Sequence, residues 1–267
     1  MSERFGGVVY DVDNTIYDHK TKRVPKLAQE ALRRLEVPAM PATGRSYPLM
    51  LPLAEKGIRL TGLGSLDSGA TIVDFDTKSV VWEKWLDPQQ VSEVMRKVGG
   101  KCLDISTSTL KQRVSIDPKS IDERFAYGKK SPSVFAIYPL QEQAALQEIL
   151  GDIDEVKSRF MRFENSTTRG CFQVTYAGID KKHGVDMLLD MAGLKNERIV
   201  GIGDDYEGDG PFFAAVKAMK KKGITIAMGN ADKRLKREAD MVVAGVSDTP
   251  DGFTDAMRRL DLVDTDI

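Results

Sequence analysis

The chain has 267 residues, long for one small domain and short for three, and its apolar fraction of 41% suffices for a packed core. Lys and Arg (39) nearly cancel Asp and Glu (40), so the formal net charge of -1 argues against a nucleic-acid-binding surface and for a small partner. Cys102 and Cys171 lie far apart, with only His19 and His183 to join them, which excludes a CxxC or zinc-finger pattern and fits a reduced, cytoplasmic setting.

The opening MSERFGGVVYDVD reaches acidic residues after a short apolar run, unlike a secretory signal, and no later stretch is long enough to span a bilayer. Phe5 to Tyr10 reads as a buried strand that delivers Asp11 at its C-terminal end. Helical spacing of Leu27, Ala28, Ala31, Leu32 and Leu35 predicts a helix over 25–36, with Pro25 opening its first turn. A strand over 37–42 is weakened by Pro38 and Pro41, each of which removes a ladder donor. Further strands are predicted at 198–203, 223–228 and 241–244, alternating with helices at 185–192, 211–222 and 231–238. Strands and helices in alternation predict an α/β fold with a doubly wound, mostly parallel sheet.

The middle is more polar. It carries candidate strands at 80–85, 114–116, 134–138 and 172–176 and candidate helices at 88–98 and 141–150, a pattern that reads as an inserted α+β domain. The expected organisation is therefore a core of residues 1–76 and 179–267, with a cap of residues 77–178 inserted into it. Trp82, Trp85 and Phe135 are expected in the cap core, and the Lys220-Lys221-Lys222 run in the basic last turn of a helix.

Asp11 and Asp13 share their i, i+2 spacing with Asp74/Asp76, Asp152/Asp154 and Asp264/Asp266. Only the first pair follows an apolar strand, and ligands of open α/β sheets bind at the carboxyl ends of strands. Two carboxylates there can divide a reaction such as phosphate-ester hydrolysis between them, one attacking phosphorus and the other protonating the leaving oxygen and then activating water. Such chemistry brings anions together and needs a divalent ion and a lysine. Gly203-Asp204-Asp205-Tyr206-Glu207-Gly208-Asp209, after the strand at 198–203, offers hard oxygen ligands suited to magnesium. Lys181 stands just before the helix predicted at 185, and Thr43-Gly44 supplies a hydroxyl and an unhindered amide for the same anion. Arg45 suits either the substrate or a carboxylate partner, while His183 reads as a helix-start residue.

In this order, D-x-D-x-T, T-G-R, a lysine and G-D-x4-D resemble the four motifs of the haloacid dehalogenase superfamily. Ser68-Gly69-Ala70 and Ala227-Met228-Gly229-Asn230-Ala231 extend the resemblance to its Cof-like branch, whose cap is inserted between the second and third motifs. The resemblance implies Asp11 as nucleophile, Asp13 as general acid/base, and Thr43 and Lys181 as phosphate ligands, with Gly44 and Arg45 as further candidates beside them. It implies Mg2+ as cofactor, held by Asp11, the Asp13 carbonyl, Asp204 and Asp209, and a small phosphorylated metabolite as substrate. Phosphoryl transfer to an acceptor other than water, as in a phosphomutase, and a binding protein on the same scaffold are the alternatives. Three departures stand out: Asn14 replaces a usual glycine, Ser68 a usual asparagine, and the fourth motif is one residue longer. Its second acid is Asp209, Asp205 or Glu207, with superfamily spacing favouring Asp209.

Overall fold

Strands buried on both faces of a parallel sheet are unbroken apolar runs, and two such runs, Val8-Val9-Tyr10 and Ile199-Val200 with Ile202, are wholly buried here. The computed structural model describes residues 4–108, 113–116, 131–162 and 168–264. In chain order the first elements are β1 (Phe5–Tyr10), α1 (Lys26–Arg34), β2 (Ala39–Pro41), α2 (Tyr47–Ala54), β3 (Leu63–Leu66), β4 (Thr71–Asp74) and β5 (Ser79–Glu83). There follow α3 (Pro88–Val98), β6 (Asp104–Ser108), β7 (Arg113–Ile116), β8 (Val134–Pro139), α4 (Gln143–Gly151), β9 (Val156–Arg162) and β10 (Arg169–Tyr176). The last are α5 (Lys181–Met191), β11 (Arg198–Gly203), α6 (Tyr206–Lys217), β12 (Ile224–Ala227), α7 (Lys233–Glu238), β13 (Met241–Val242) and α8 (Gly252–Arg259).

These elements form two compact units, one of Met1–Arg45, Met50–Val81 and Asp180–Ile267, the other of Ser46–Leu49 and Trp82–Ile179. In the first unit a parallel sheet runs in the order β13-β12-β11-β1-β2, the doubly wound arrangement that the alternation predicts. From β1 the chain steps outward to β2, then returns to β11 on the other flank of β1 and steps away through β12 and β13. The strand order therefore reverses between β1 and β11, the place where such sheets open a crevice for ligands. Pro38 and Pro41 are tolerated because β2 lies at the sheet edge, where a missing donor costs little; the Pro38 carbonyl still accepts from Val8 N at 2.8 Å. Helix α1 packs against α8, and α5 against α6. A separate three-stranded sheet, β3-β4-β5, follows α2.

The second unit is an antiparallel sheet, β7-β6-β8-β10-β9, with α3 and α4 packed on one another. Helix α3 starts on a capping box: Asp87 accepts from Gln90 N at 2.8 Å, and Gln90 Oε1 accepts from Asp87 N at 3.0 Å. Its Val91, Val94, Met95 and Val98 bury with Leu146 and Leu150 of α4 against Ile105, Val134, Ala136, Tyr138, Phe172 and Val174. Strict alternation along β8 turns Phe135 away from this core, so Phe135 is half-buried, as are Trp82 and Trp85. None of these three aromatics belongs to the core cluster expected of them.

Several boundaries differ from the sequence pattern. Helix α5 begins at Lys181, four residues earlier than its periodicity indicates, because Asp180 caps it by accepting from His183 N at 3.0 Å. Helix α6 begins at Tyr206, so Asp209 lies within its first turn rather than in a loop. Helix α2 carries Pro52 inside it and shows no amphipathic spacing, and β9, VKSRFMR, mixes three basic residues with scattered apolar ones and lacks strand alternation.

Candidate active site

Register alone carries three of the motif residues to one edge of the parallel sheet. Tyr10 pairs with Ile202 on one flank and Pro41 on the other, so the strands end together. Asp11 N then donates to Ile202 O at 2.9 Å and Ala42 N to Tyr10 O at 2.8 Å, which sets Asp11 beside Gly203 and brings Thr43 to the same end. The chain leaves β1 through a tight turn in which Val12 O accepts from both Ile16 N and Tyr17 N, at 3.0 and 2.8 Å. Asn14 takes φ 57° in that turn, the left-handed region that asparagine tolerates better than other side-chain-bearing residues, which explains its substitution for glycine.

Lys181 is the electrostatic centre. Only 3% exposed, its Nζ donates to Asp11 Oδ1 at 2.5 Å and to Asp209 Oδ1 at 2.7 Å. Asp209 is fully buried, and its Oδ2 accepts from Asp204 N at 2.8 Å and Asp205 N at 3.0 Å. Of the three acids open in the lengthened fourth motif, Asp209 is thus the one that reaches Lys181. Glu207 is exposed and pairs instead with Arg234 at 3.3 Å. Thr15 Oγ1 donates to Asp204 Oδ1 at 3.3 Å, tying the turn after β1 to the end of β11.

Backbone geometry seats the helix that carries Lys181. Asp67 and Ser68 both have positive φ, 51° and 55°, and Gly69 has φ 99°. A Cβ on Gly69 would stand 2.1 Å from the Asp180 carbonyl oxygen, so only glycine allows this turn to approach the start of α5. The same turn holds the second motif: Thr43 N donates to Ser65 O at 2.9 Å, and Ser68 N to Thr43 O at 3.0 Å. Thr43 is 1% exposed, its hydroxyl accepting from Arg45 N at 3.1 Å, while Gly44 is half-buried beside it.

Arg45 pairs with a carboxylate. Its Nη2 donates to Asp13 Oδ1 at 2.6 Å and its Nε to Asp13 Oδ2 at 2.9 Å. His19 Nε2 lies 2.6 Å from Asp13 Oδ1, a contact that sequence reasoning missed, since His19 falls outside every motif. Histidine six residues beyond an acid at a strand end was the available signal.

Charge separates the two acids of the first motif. Burial pushes Asp11 up to about 7, assisted by Asp209 and Asp13 and opposed by Lys181. Burial also raises Asp13, but hydrogen bonds from His19 and Arg45 and the Arg45 charge outweigh it, holding Asp13 well below the usual carboxylate range. Burial, then the charges of Asp11, Asp209 and Asp205, raises Asp204 well above its ordinary value. Asp11, Asp204 and Asp209 each offer an oxygen within 4.8 Å of the others. Asp11, Asp204 and Asp209 thus gather hard oxygen donors at one point, two of them on the Lys181 ammonium, a donor set that fits a divalent cation.

A family model for haloacid dehalogenase-like hydrolases matches residues 8–257. The chain belongs to this family. Among curated relatives of these hydrolases, a phosphoglycolate phosphatase of Archaeoglobus fulgidus is 24% identical over 260 residues, covering 96% of this chain and 97% of its own. A putative bifunctional phosphatase/peptidyl-prolyl cis-trans isomerase of Streptococcus pyogenes is 23% identical over 97% of this chain, which spans 55% of that protein's length. Solved structures show the same fold. A phosphatase of the superfamily from Bacteroides thetaiotaomicron superposes with a TM-score of 0.76 at 19% identity, covering 98% of this chain and 97% of that one. A sugar phosphatase of subclass IIB gives a TM-score of 0.72 at 20% identity over 96% and 99% of the two chains. Among the described residues, no helix is long and apolar enough to cross a membrane.

Proposed function

We propose that this hydrolase is a magnesium-dependent phosphatase acting on a small phosphorylated metabolite, of the sugar phosphate or phosphoglycolate kind, through an aspartyl phosphate at Asp11. The observation that carries the reading is the Lys181 ammonium between Asp11 and Asp209, at 2.5 and 2.7 Å, beside Asp204 at the end of the neighbouring strand. Asp11 Oδ attacks phosphorus while the ester oxygen departs. Asp13 gives that oxygen the proton it carries in the substrate complex, becomes the carboxylate that His19 and Arg45 favour, and regains a proton from the water that opens the aspartyl phosphate. Lys181, the Thr43 hydroxyl and the Gly44 amide are the groups proposed to hold the phosphoryl oxygens. Arg45 is committed to Asp13 in this structure, so its proposed contact with substrate requires that pairing to rearrange.

The residues proposed to hold the cation are Asp11, Asp204 and Asp209, with the Asp13 carbonyl. A bound magnesium ion supplies positive charge that favours ionised Asp11 and offsets its repulsion from the phosphoryl oxygens. Segment 77–178 is proposed to select among substrates, as an insertion in a core that itself carries all four motifs. The cytoplasm is the proposed location, because the sequence has only two cysteines, far apart and without a CxxC pair.

The test is phosphate release by purified protein from a panel of phosphorylated metabolites, with magnesium and with excess chelator. Release from sugar phosphates or phosphoglycolate that stops in chelator supports the reading. Equal turnover in both, or none with any compound, refutes it.

A further inference from the structure

We propose that His19 is a positioning residue of the reaction: with Arg45 it saturates one oxygen of Asp13, leaving Oδ2 as the oxygen that exchanges the proton. This rests on the phosphatase reading above. Asp13 Oδ1 faces His19 Nε2 at 2.6 Å, Arg45 Nη2 at 2.6 Å and Arg45 Nε at 3.2 Å. Among the described residues, Oδ2 accepts only from Arg45 Nε, at 2.9 Å. A carboxylate oxygen has about two lone-pair sites, so Oδ1 is filled and Oδ2 keeps one open. The side chain of Asp13 is 33% exposed, so packing alone does not hold it. The two donors do.

Both donors are themselves fixed by structure that plays no other part in the site. The Tyr17 ring is met edge-on by the His19 ring, with centroids 5.2 Å apart, and the Arg45 guanidinium lies 5.3 Å from the Tyr17 centroid. Lys56 Nζ donates to Tyr17 Oη at 3.0 Å and locks the platform. The turn that presents His19 is closed by Asp18 N donating to Arg23 O at 3.0 Å. It is pinned by the buried Asp18 carboxylate, which accepts from Lys20 N at 2.8 Å, Thr21 Oγ1 at 2.9 Å and Ser247 Oγ at 3.1 Å. These constraints on the turn hold His19 against Asp13, and for Oδ1 to accept from it, in the carboxylate or in the acid protonated on Oδ2, the hydrogen must be on Nε2.

In the first step Asp13, recharged with a proton from the water of the preceding turnover, passes that Oδ2 proton to the leaving oxygen as that oxygen's bond to phosphorus breaks and the Asp11–phosphorus bond forms. This leaves the carboxylate that His19 and Arg45 stabilise. In the second it takes a proton from water as the water oxygen bonds to phosphorus and the Asp11–phosphorus bond breaks. Losing His19 lets the carboxylate turn and spoils this alignment, which hurts most when the leaving oxygen needs a proton.

The test compares wild type, His19→Ala and His19→Gln, all with magnesium, on phenyl phosphate and p-nitrophenyl phosphate, following the phosphorylation step by rapid quench. The poor phenol leaving group should be slowed about tenfold or more in His19→Ala, the good nitrophenol less than about threefold, with KM changed less than about twofold. His19→Gln, which retains an N–H donor at similar reach, should restore most of the lost rate. Equal losses on both substrates with a lowered thermal midpoint would mean that His19 only supports the fold, and no loss on either would remove it from the reaction; both overturn the proposal. Wild-type protein that releases neither phenol would overturn the phosphatase reading, and this proposal with it.

Discussion

Replacing Lys181 with methionine keeps most of the side-chain length and removes the charge that two buried carboxylates share. Lys181 is 3% exposed and Asp209 fully buried, so solvent cannot take over the ammonium's role. Removing one partner of a buried pair costs about 3–5 kcal/mol, because the other partner is left charged without compensation. For a domain of this size that corresponds to a fall in melting temperature of about 6–20 °C. The loss should depend on pH in a definite direction. With Lys181 present, Asp11 sits at about 7 when folded against 3.8 as a free carboxyl, so it contributes stability that is present below 3.8 and lost as pH rises through 7. Without the ammonium, which lowers it, Asp11 rises further still. The deficit of Lys181→Met relative to wild type should therefore be greatest at about pH 8 and shrink below about pH 5, where Asp11 carries a proton in both proteins. Thermal melts in excess chelator across that range measure it; chelator is needed because a bound cation would replace the missing charge. A midpoint within about 1 °C of wild type at every pH, or a deficit that grows as pH falls, would refute the reasoning.

Asp204→Ala should raise the magnesium concentration needed for turnover or abolish it, and an unchanged metal titration would move the ligand role to another acid of 204–209. Asp11→Asn should be inactive on every substrate, whereas Asp13→Asn with p-nitrophenyl phosphate should release about one equivalent of nitrophenol in a burst and accumulate phosphorylated protein. Should the burst belong to Asp11→Asn instead, the roles of the two acids are reversed. Gly69→Ala forces a Cβ to within 2.1 Å of the Asp180 carbonyl at a φ of 99°, and should destabilise the protein by about 1–3 kcal/mol in urea unfolding while lowering turnover, because Asp180 caps the helix that carries Lys181. Full stability and full turnover in that variant would show that the turn can yield.

Local physics made much of this protein legible from its residues alone. Unbroken apolar runs mark β1 and β11 because a parallel strand is buried on both faces, and Asp-Pro before a periodic stretch marks the start of α3 because a cap and a proline suit a first turn. The four motifs name Asp11, Asp13, Thr43, Lys181 and Asp204 for the same reason: each follows a recognisable strand or precedes a helix. Helix α2, with its internal proline, and β9, with basic residues spread among apolar ones, carry no such local mark, and β9 takes its place by pairing with β10. For the second acid of the fourth motif, spacing favours Asp209 without excluding Asp205 or Glu207, and it says nothing of which acid meets Lys181. The contact between Asp209 and Lys181 comes from the first turn of α6, which folds Asp209 back onto the amides of Asp204 and Asp205. The clamp on Asp13 joins Arg45, 32 residues away, to His19 across the Tyr17 ring. Periodicity and capping act within one element, whereas these contacts depend on which strands lie side by side and where each one ends, and only the folded sheet determines that.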